Sequence, residues 1–334
     1  MKLTRLEEKN LIEAIKQEFL ESNKAVPVGL GDDAAVIKAG DTDLIVTKDL
    51  LIEDVHFVFS YHPARLLGKK SLNVNISDIA AMGGMPMYAL LGLGLPERTD
   101  LEWISDFFAG LKSATRENGI ALVGGDISRA KKIIISVTLI GEGKNIIRRS
   151  GAKPGHVLFV SGTLGDARQG LLLLKRGVRL GETKYADKLL KAFLDPTPPV
   201  QLGQELSRRK LVSAMIDISD GLSIDLGHIC EESGCGAEVF LERLPLSPEL
   251  CLLQRKRLAF ALRGGEDYQL LFSVPEKKIR SLSELQEKYR ITPIGRIISD
   301  PGLYVIDKKG RRKKTEIKGW HHFRKRVNRI ESCE

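Results

Sequence analysis

Seven aspartates stand where acids are uncommon. Asp32 and Asp33 lie in "GLGDDAAV", Asp49 in "IVTKDLL", Asp78 in "NVNISDIAAMGG", Asp126 in "LVGGDIS", and Asp217 and Asp220 in "MIDISDG". Four of them follow apolar strands, where a carboxylate is partly buried. Asp78 falls on a helix among apolar and amide side chains. Two bare carboxylates ~4 Å apart repel by about 4 kcal/mol at an effective dielectric near ~20, so a convergent set needs cations. Carboxylates without His or Cys select hard ions such as Mg²⁺, which shares its shell with waters and substrate phosphates. The chemistry indicated is nucleotide-phosphate binding through metal ions. Taken singly, each Asp also reads as a turn former or a helix cap; Asp220, before Gly221 and a helix, suits an N-cap.

The first of these stretches also fits the dinucleotide fingerprint G-x-G-x-x-G/A. That fingerprint requires a helix after the glycines, because the helix N-terminus forms the anion site. Here "AAVIKAGDTDLIVT" follows, which reads as strand, turn and strand, so the fingerprint is rejected. No G-x-x-x-x-G-K-[ST] loop occurs.

The elements that must position the aspartates follow from periodicity. Residues 5–22 read as an amphipathic helix. Strands are expected at Ala34–Lys38, Leu44–Leu51 and Val55–Phe59, and a helix from Pro63 to about Met82, ended by Gly83 and Gly84. A strand follows in "MYALLGLGLP", a helix over Asp100–Asn118, and strands in "IALVGGDIS" and "KIIISVTLIGE". "KNIIRRSGAKPGH" is polar and Gly/Pro-bearing and suits an interdomain link, dividing the chain into residues 1–146 and 147–334. Beyond it come a strand in "VLFVSG", helices over Leu164–Arg176 and Lys184–Leu194, a strand in "SAMIDISDG" leading into a helix over Leu222–Ser233, a strand in "YQLLFSV", a helix over Glu276–Tyr289 and a strand in "ITPIGRI". Mixed helices and adjacent strands favour two domains, a mixed α/β N-terminal one and an α+β C-terminal one.

The net charge of +9 is unevenly distributed. Lys308–Arg329 holds eleven Lys/Arg and one acid, Glu316, so the rest of the chain is close to neutral. Such a tail reads as a solvated face or a support for an anionic small substrate, and nucleic acid is not the expected partner. Cys230, Cys235, Cys251 and Cys333 show no C-x-x-C spacing, which disfavours zinc and a disulfide framework. There is neither a signal-peptide pattern nor an unbroken apolar span, so a cytoplasmic location is expected and no membrane is involved.

Seven ordered motifs, "GLGDDAAV", "TKDLLIEDVHF", "NVNISDIAAMGGMP", "LVGGDISR", "RSGAKPG", "IDISDGLSIDLGHI" and "LRGGEDYQLLF", together resemble the thiamine-monophosphate kinase family. That family belongs to a superfamily with aminoimidazole ribonucleotide synthetase and selenophosphate synthetase, and the resemblance spans about residues 28–323. It implies ATP-dependent phosphorylation of thiamine monophosphate to thiamine diphosphate, with several Mg²⁺ ions, and a homodimer formed through the N-terminal sheet. Carried over by motif, the metal ligands are Asp33, Asp49, Asp78, Asp126, Asp217 and Asp220, with Thr47 assisting. ATP contacts are Phe108, Gly125, Asp126, Arg149 and Ser219; Asp126 and Arg149 are the catalytic pair. Substrate contacts are His56, Glu266 and Trp320. His56 also reads as a packed residue beside Phe57, and Trp320 as a tail anchor. Phe108 stands where the family commonly has Tyr, Ile127 where Thr is common, and Lys48 where a small hydroxyl residue is frequent; Lys48 is expected to add a cation beside the metals. An ATP-dependent ligase of the same superfamily and a nucleic-acid binder using the basic tail are the competing readings.

Overall fold

The computed structural model describes residues 8–19 and 23–315. Helix α1 (Glu8–Glu18) precedes strands β1 (Ala35–Ala39) and β2 (Thr42–Ile52), helix α2 (Ala64–Ala81), β3 (Met85–Leu95), α3 (Leu101–Glu117), β4 (Ala121–Arg129) and β5 (Ile134–Gly143). The five strands form one sheet in the order β1-β2-β5-β3-β4. All pairings are antiparallel except β3–β4, which α3 joins as a parallel crossover. Asp100 caps α3, its side chain accepting from the backbone N–H of Glu102 at 3.4 Å.

α2 and α3 pack backbone to backbone. A Cβ on Gly110 would lie 1.7 Å from the carbonyl oxygen of Arg65, and one on Gly68 would lie 2.0 Å from that of Phe107. The two glycines thus set how closely α2, which carries Asp78, approaches α3. The expected strand Val55–Phe59 is absent: the segment is a turn with one bridge, Glu53 to Phe57, because Asp54 adopts a left-handed φ of 66° that interrupts any ladder.

The C-terminal half contains β6 (Val157–Ser161), α4 (Asp166–Lys175), α5 (Lys184–Leu194), α6 (Val200–Arg208), β7 (Ala214–Asp217), α7 (Leu222–Glu232), β8 (Gly236–Phe240), α8 (Pro248–Leu253), α9 (Arg257–Arg263), β9 (Leu270–Val274), α10 (Ser283–Tyr289), β10 (Ile291–Ile298), β11 (Gly302–Ile306) and β12 (Arg312–Lys314). Its seven-stranded sheet runs β12-β11-β8-β10-β6-β9-β7, with β8–β11 the parallel pair. The expected helix Glu276–Tyr289 divides into a 3-10 turn, Glu276–Leu282, and α10. α6, α8, α9, β8, β11 and β12 carried no legible sequence pattern. β8 holds Glu238 in a buried position, where Arg296 and Arg312 neutralise it, and β12 is three exposed cations. The fold is a two-domain mixed α/β and α+β arrangement, as the sequence indicates.

Each half has its own apolar core, and a third core joins them, with Ala80 and Ala81 of α2 packed among Leu202 and Leu206 of α6 and Phe159 and Phe272 of the C-terminal sheet. α2 is therefore buried nearly all round, although half its side chains are polar. Each buried polar side chain of α2 finds a partner, as the low local dielectric requires. Lys70, Asn73 and Ser77 form an i, i+3, i+7 stripe that donates into the C-terminal half. Lys70 Nζ reaches Phe193 O (2.8 Å) and Glu266 Oε2 (2.5 Å), Asn73 Nδ2 reaches Pro196 O (2.8 Å), and Ser77 Oγ reaches Asp217 Oδ2 (2.7 Å). Asn75 and Asp78 face β2 instead: Asn75 Oδ1 accepts from the backbone N–H of Asp49 (3.0 Å), and Asp78 Oδ2 accepts from Thr47 Oγ1 (2.5 Å). Among the described residues no helix is long and apolar enough to cross a membrane.

Candidate active site

Three elements from the two halves meet at a buried acidic centre. Asp33 comes from the loop before β1, Asp78 from the last turn of α2, and Asp217 from the end of β7. One carboxylate oxygen from each lies within 4.8 Å of the other two. Asp49 on β2 and Asp220 before α7 complete the set electrostatically. Burial pushes Asp49 up to about 6, and the charge on Asp220 adds to it. Asp78 is raised well above the usual carboxylate range by burial and then by Asp49, Asp217 and Asp33. Asp217 is raised to about 7 by burial and by Asp33. Burial likewise raises Asp33, against the opposing pull of Arg149. These are carboxyls placed where charge is costly unless cations are close.

The donor set fits a hard divalent ion. Every ligand candidate is an oxygen, and Asp33 Oδ2 is buried with no hydrogen-bond partner among the described residues. A buried acceptor left bare in this way is costly and needs an explanation, and a cation between these carboxylates supplies one.

Arg149, in the segment between β5 and β6, closes one side. Its Nη2 pairs with Asp33 Oδ1 at 2.8 Å and Nη1 donates to Gly31 O at 3.3 Å, while its backbone N–H donates to Asp32 Oδ1 at 3.2 Å. Asp32, raised to about 6 by burial and by Asp33, shapes the loop through this bond and through the N–H of Asp33 (3.1 Å). Ser219 Oγ approaches Asp217 Oδ1 at 3.5 Å. Six of the seven residues proposed as metal ligands are thus brought together: Asp33, Thr47, Asp49, Asp78, Asp217 and Asp220.

Asp126 lies elsewhere. It is exposed on β4, with Ser128 Oγ 3.3 Å from its Oδ2, and it is not among the grouped carboxylates. It lines a groove of about 320 Å³ with Phe108, Gly125, Ile127, Leu91, Leu93, Leu122 and Gly124. The residues expected to touch ATP therefore fall into two groups, Phe108, Gly125 and Asp126 along this apolar groove, and Arg149 and Ser219 at the acidic centre. The expectation that Lys48 adds a cation beside the metals is corrected. Side chains alternate along β2, so Lys48 points to the face opposite Thr47 and Asp49, where its Nζ donates to Ser136 Oγ at 2.6 Å.

On the proposed substrate side, His56 Nδ1 accepts from the backbone N–H of Ile52 at 3.0 Å, which leaves the proton of the neutral ring on Nε2. Glu266 sits in "RGGEDY" with a left-handed φ of 67°. Its backbone N–H donates to Ser219 O at 2.7 Å, and the N–H of Tyr268 donates to Ile218 O at 2.8 Å, so this loop is laced to the one carrying Asp217 and Asp220. Trp320 lies outside the described residues.

The family model for the AIR synthase related protein N-terminal domain matches residues 31–142, and that for the AIR synthase related protein C-terminal domain matches residues 153–308. A thiamine-monophosphate kinase of Aquifex aeolicus (strain VF5) is 39% identical over 327 residues, covering 97% of this chain and 100% of the relative. That of Escherichia coli O157:H7 is 38% identical, covering 89% and 92%. The chain belongs to the thiamine-monophosphate kinase family. Among solved structures, "AaThiL complexed with AMPPCP and TMP" superposes with a TM-score of 0.87 at 38% identity, covering 96% of this chain and 99% of that one. A hydrogenase maturation protein HypE in complex with ATP, at 18% identity and a TM-score of 0.68, shares the fold alone.

Within this thiamine-monophosphate kinase family member, four site-lining groups escaped the sequence reading. Ser77 and Asn75 orient Asp217 and the Asp49 backbone. Lys70 holds Glu266. Asp225, buried on α7, accepts from Gly221 N–H at 2.9 Å and is raised well above its ordinary range by burial and by Asp220 and Asp217. The amide-rich run "NVNISD" was a visible signal for Asn75 and Ser77. Lys70 and Asp225 each sit in ordinary helical sequence, and nothing local distinguishes them.

Proposed function

We propose that the chain transfers the γ-phosphoryl group of ATP to the phosphate of thiamine monophosphate, giving thiamine diphosphate and ADP, with Mg²⁺ held by the acidic centre. The observation that carries this reading is the Asp33–Asp78–Asp217 group with its bare, buried Asp33 oxygen. Bound Mg²⁺ supplies the positive charge that offsets the oxygens of the transferring group and brings phosphates to the carboxylates. Thr47 and Ser77 orient Asp78 and Asp217 by donating to them. Arg149 holds Asp33 in place and presents a guanidinium beside the transferring group. The acceptor phosphate, with a second pKa near ~6, is largely dianionic at neutral pH, so no residue need remove a proton. The catalytic problem is then positioning and charge. The adenine end of ATP suits the apolar groove of Phe108, Gly125 and Asp126. The cationic thiazolium suits Glu266 and Trp320, with His56 Nε2–H as a nearby donor.

A second copy of the chain is the partner we infer for β4. This edge strand is exposed along its whole length, with Leu122 at 47%, Val123 at 57% and Ile127 at 64% exposure, an arrangement that a monomer leaves open to edge or face pairing. Sedimentation analysis is expected to give a dimer that Val123→Lys converts to monomer; a monomeric wild type overturns the inference. The described part of the basic tail favours the kinase over a nucleic-acid binder, because Arg311 pairs with Asp307 (2.7 Å) and Arg312 with Glu238 (2.9 Å). The free thiols of Cys230, Cys235 and Cys251 suit a reducing, cytoplasmic setting.

The test is a chromatographic assay with purified protein, ATP, Mg²⁺ and thiamine monophosphate. Equimolar thiamine diphosphate and ADP, lost on adding EDTA, are expected. ADP without thiamine diphosphate points to another acceptor, as in a ligase of the superfamily, and no ATP turnover by folded protein overturns the proposal.

A further inference from the structure

Lys70 is 1% exposed, in the middle of α2, and its ammonium makes three contacts at once. It pairs with Glu266 Oε2 at 2.5 Å, donates to the carbonyl of Phe193 at 2.8 Å, and lies 3.8 Å from the centre of the Phe193 ring. Three donors on one ammonium are thus directed by one carboxylate, one carbonyl and one aromatic face. His62, packed tilted on Phe193 with ring centres 6.0 Å apart, is buried and held neutral by burial and by the charge on Lys70, so it adds no second cation. Glu266 keeps 28% of its side chain exposed, and its other oxygen, Oε1, has no partner among the described residues. One oxygen is therefore tied back into the protein, and the other is open among the described residues.

The same helix organises the other end of the site. Ser77, seven residues along, fixes Asp217 in the acidic centre. Seven residues of α-helix span about 10 Å. α2 thereby sets the separation between the Glu266 carboxylate and the carboxylates proposed to hold Mg²⁺ for the phosphates. Both partners, Glu266 and Asp217, come from the C-terminal half, whereas Lys70 and Ser77 belong to the N-terminal half.

We propose that Lys70 is a positioning residue for substrate recognition. It anchors Glu266 Oε2 so that Oε1 faces the ring end of the substrate, at a distance from the phosphoryl-transfer centre fixed by α2. This rests on the reading of the site as one for thiamine monophosphate. Without the anchor, Glu266 retains its backbone bond to Ser219 but its carboxylate is free to rotate away. Ring binding then weakens, while ATP and metal binding, made by other residues, do not.

The experiment is steady-state kinetics on the full chain, with thiamine monophosphate and ATP varied in turn, for wild type, Lys70→Met, Glu266→Gln and the double variant. Lys70→Met is expected to raise KM for thiamine monophosphate by ~10-fold or more and to leave KM for ATP within ~2-fold. In the double variant the Lys70 effect disappears, because the two residues act through one contact. Lys70→Arg, which keeps the charge, recovers most of the loss and serves as the comparison if Lys70→Met does not fold; an Arg variant that stays as weak as Met or that fails to fold counts against the anchor. An unchanged KM for thiamine monophosphate in folded Lys70→Met, a parallel change in both KM values, or multiplicative effects in the double variant overturn the proposal. Absence of wild-type turnover overturns both this proposal and the kinase reading, whereas wild-type turnover with an indifferent Lys70→Met overturns this proposal alone.

Discussion

Asp217→Asn is expected to abolish phosphoryl transfer and, without divalent cation near pH 8, to make the protein more stable than wild type. The two effects have one cause. Asp217 is 2% exposed, shares its surroundings with Asp33 and Asp78, and titrates near 7 because burial and Asp33 oppose its charge. Asn keeps the shape and an acceptor for Ser77 Oγ, so the packing at β7 survives. Removing one of three converging charges relieves repulsion of the order of a few kcal/mol at the effective dielectric appropriate to such sites. It also removes one of the carboxylates proposed to hold Mg²⁺, whose charge would offset the transferring group. A loss of ~4 kcal/mol there is a factor of about 10³ in rate. The check is kcat alongside the thermal midpoint in EDTA. Activity within ~10-fold of wild type removes Asp217 from the metal centre, and a lowered midpoint shows that its charge is not a burden on the fold.

The second large effect is the pH dependence of stability. Asp217, Asp49 and Asp32 have folded-state values of about 7, 6 and 6, above the ordinary carboxylate value of 3.8, and Asp78 and Asp33 are shifted the same way. Below 3.8 these groups are protonated in both states and contribute no difference. Between 3.8 and about 7 the folded state holds more protons than the unfolded chain, so stability falls as pH rises through that window. Above it the full cost of ionising Asp217, Asp49 and Asp32 is present. Metal-free protein is therefore expected to melt lower at pH 8 than at pH 5, by roughly 5–10 °C for a loss of a few kcal/mol in a chain of this size. Mg²⁺, if held by the folded acidic centre as proposed, is expected to recover the loss at pH 8 and to do little at pH 5, where it competes with protons. Calorimetric or fluorescence melting at the two pH values, with and without Mg²⁺, measures this directly. A Mg²⁺ shift of equal size at both pH values contradicts the assignment of the binding site to these carboxylates. In Asp217→Asn the pH dependence flattens, which links the two experiments.

Much of this architecture can be read from the sequence because it depends on local pattern. The alternation in "LIVTKDLLI" marks β2, Pro63 and the Gly83-Gly84 pair bound α2, and Asp100 announces the cap of α3. Acids at strand ends, unaccompanied by His or Cys, point by composition to oxygen ligands for a hard cation, the donor type that the Asp33–Asp78–Asp217 group offers. The motif order from "GLGDDAAV" to "LRGGEDY" is sufficient to name the family.

Which acids meet was decided only by the tertiary structure. Asp33, Asp78 and Asp217 are separated by up to 184 positions in the chain and converge because α2 is packed between the N-terminal sheet and the C-terminal half, with Gly203 of α6 close against the Ala80 carbonyl. Asp126 has the same local signature, an acid beside glycine on an apolar strand, yet β4 is an outer edge and its side chain is exposed. Lys48 neighbours two ligand candidates in sequence and points to the opposite face because β-strand side chains alternate. Lys70 has the composition of a surface lysine and is among the most buried side chains of the molecule, since its partners Phe193 and Glu266 lie 123 and 196 residues away. The residue types along the chain fixed the chemistry. Long-range packing, which no local pattern encodes, selected the groups that carry it out.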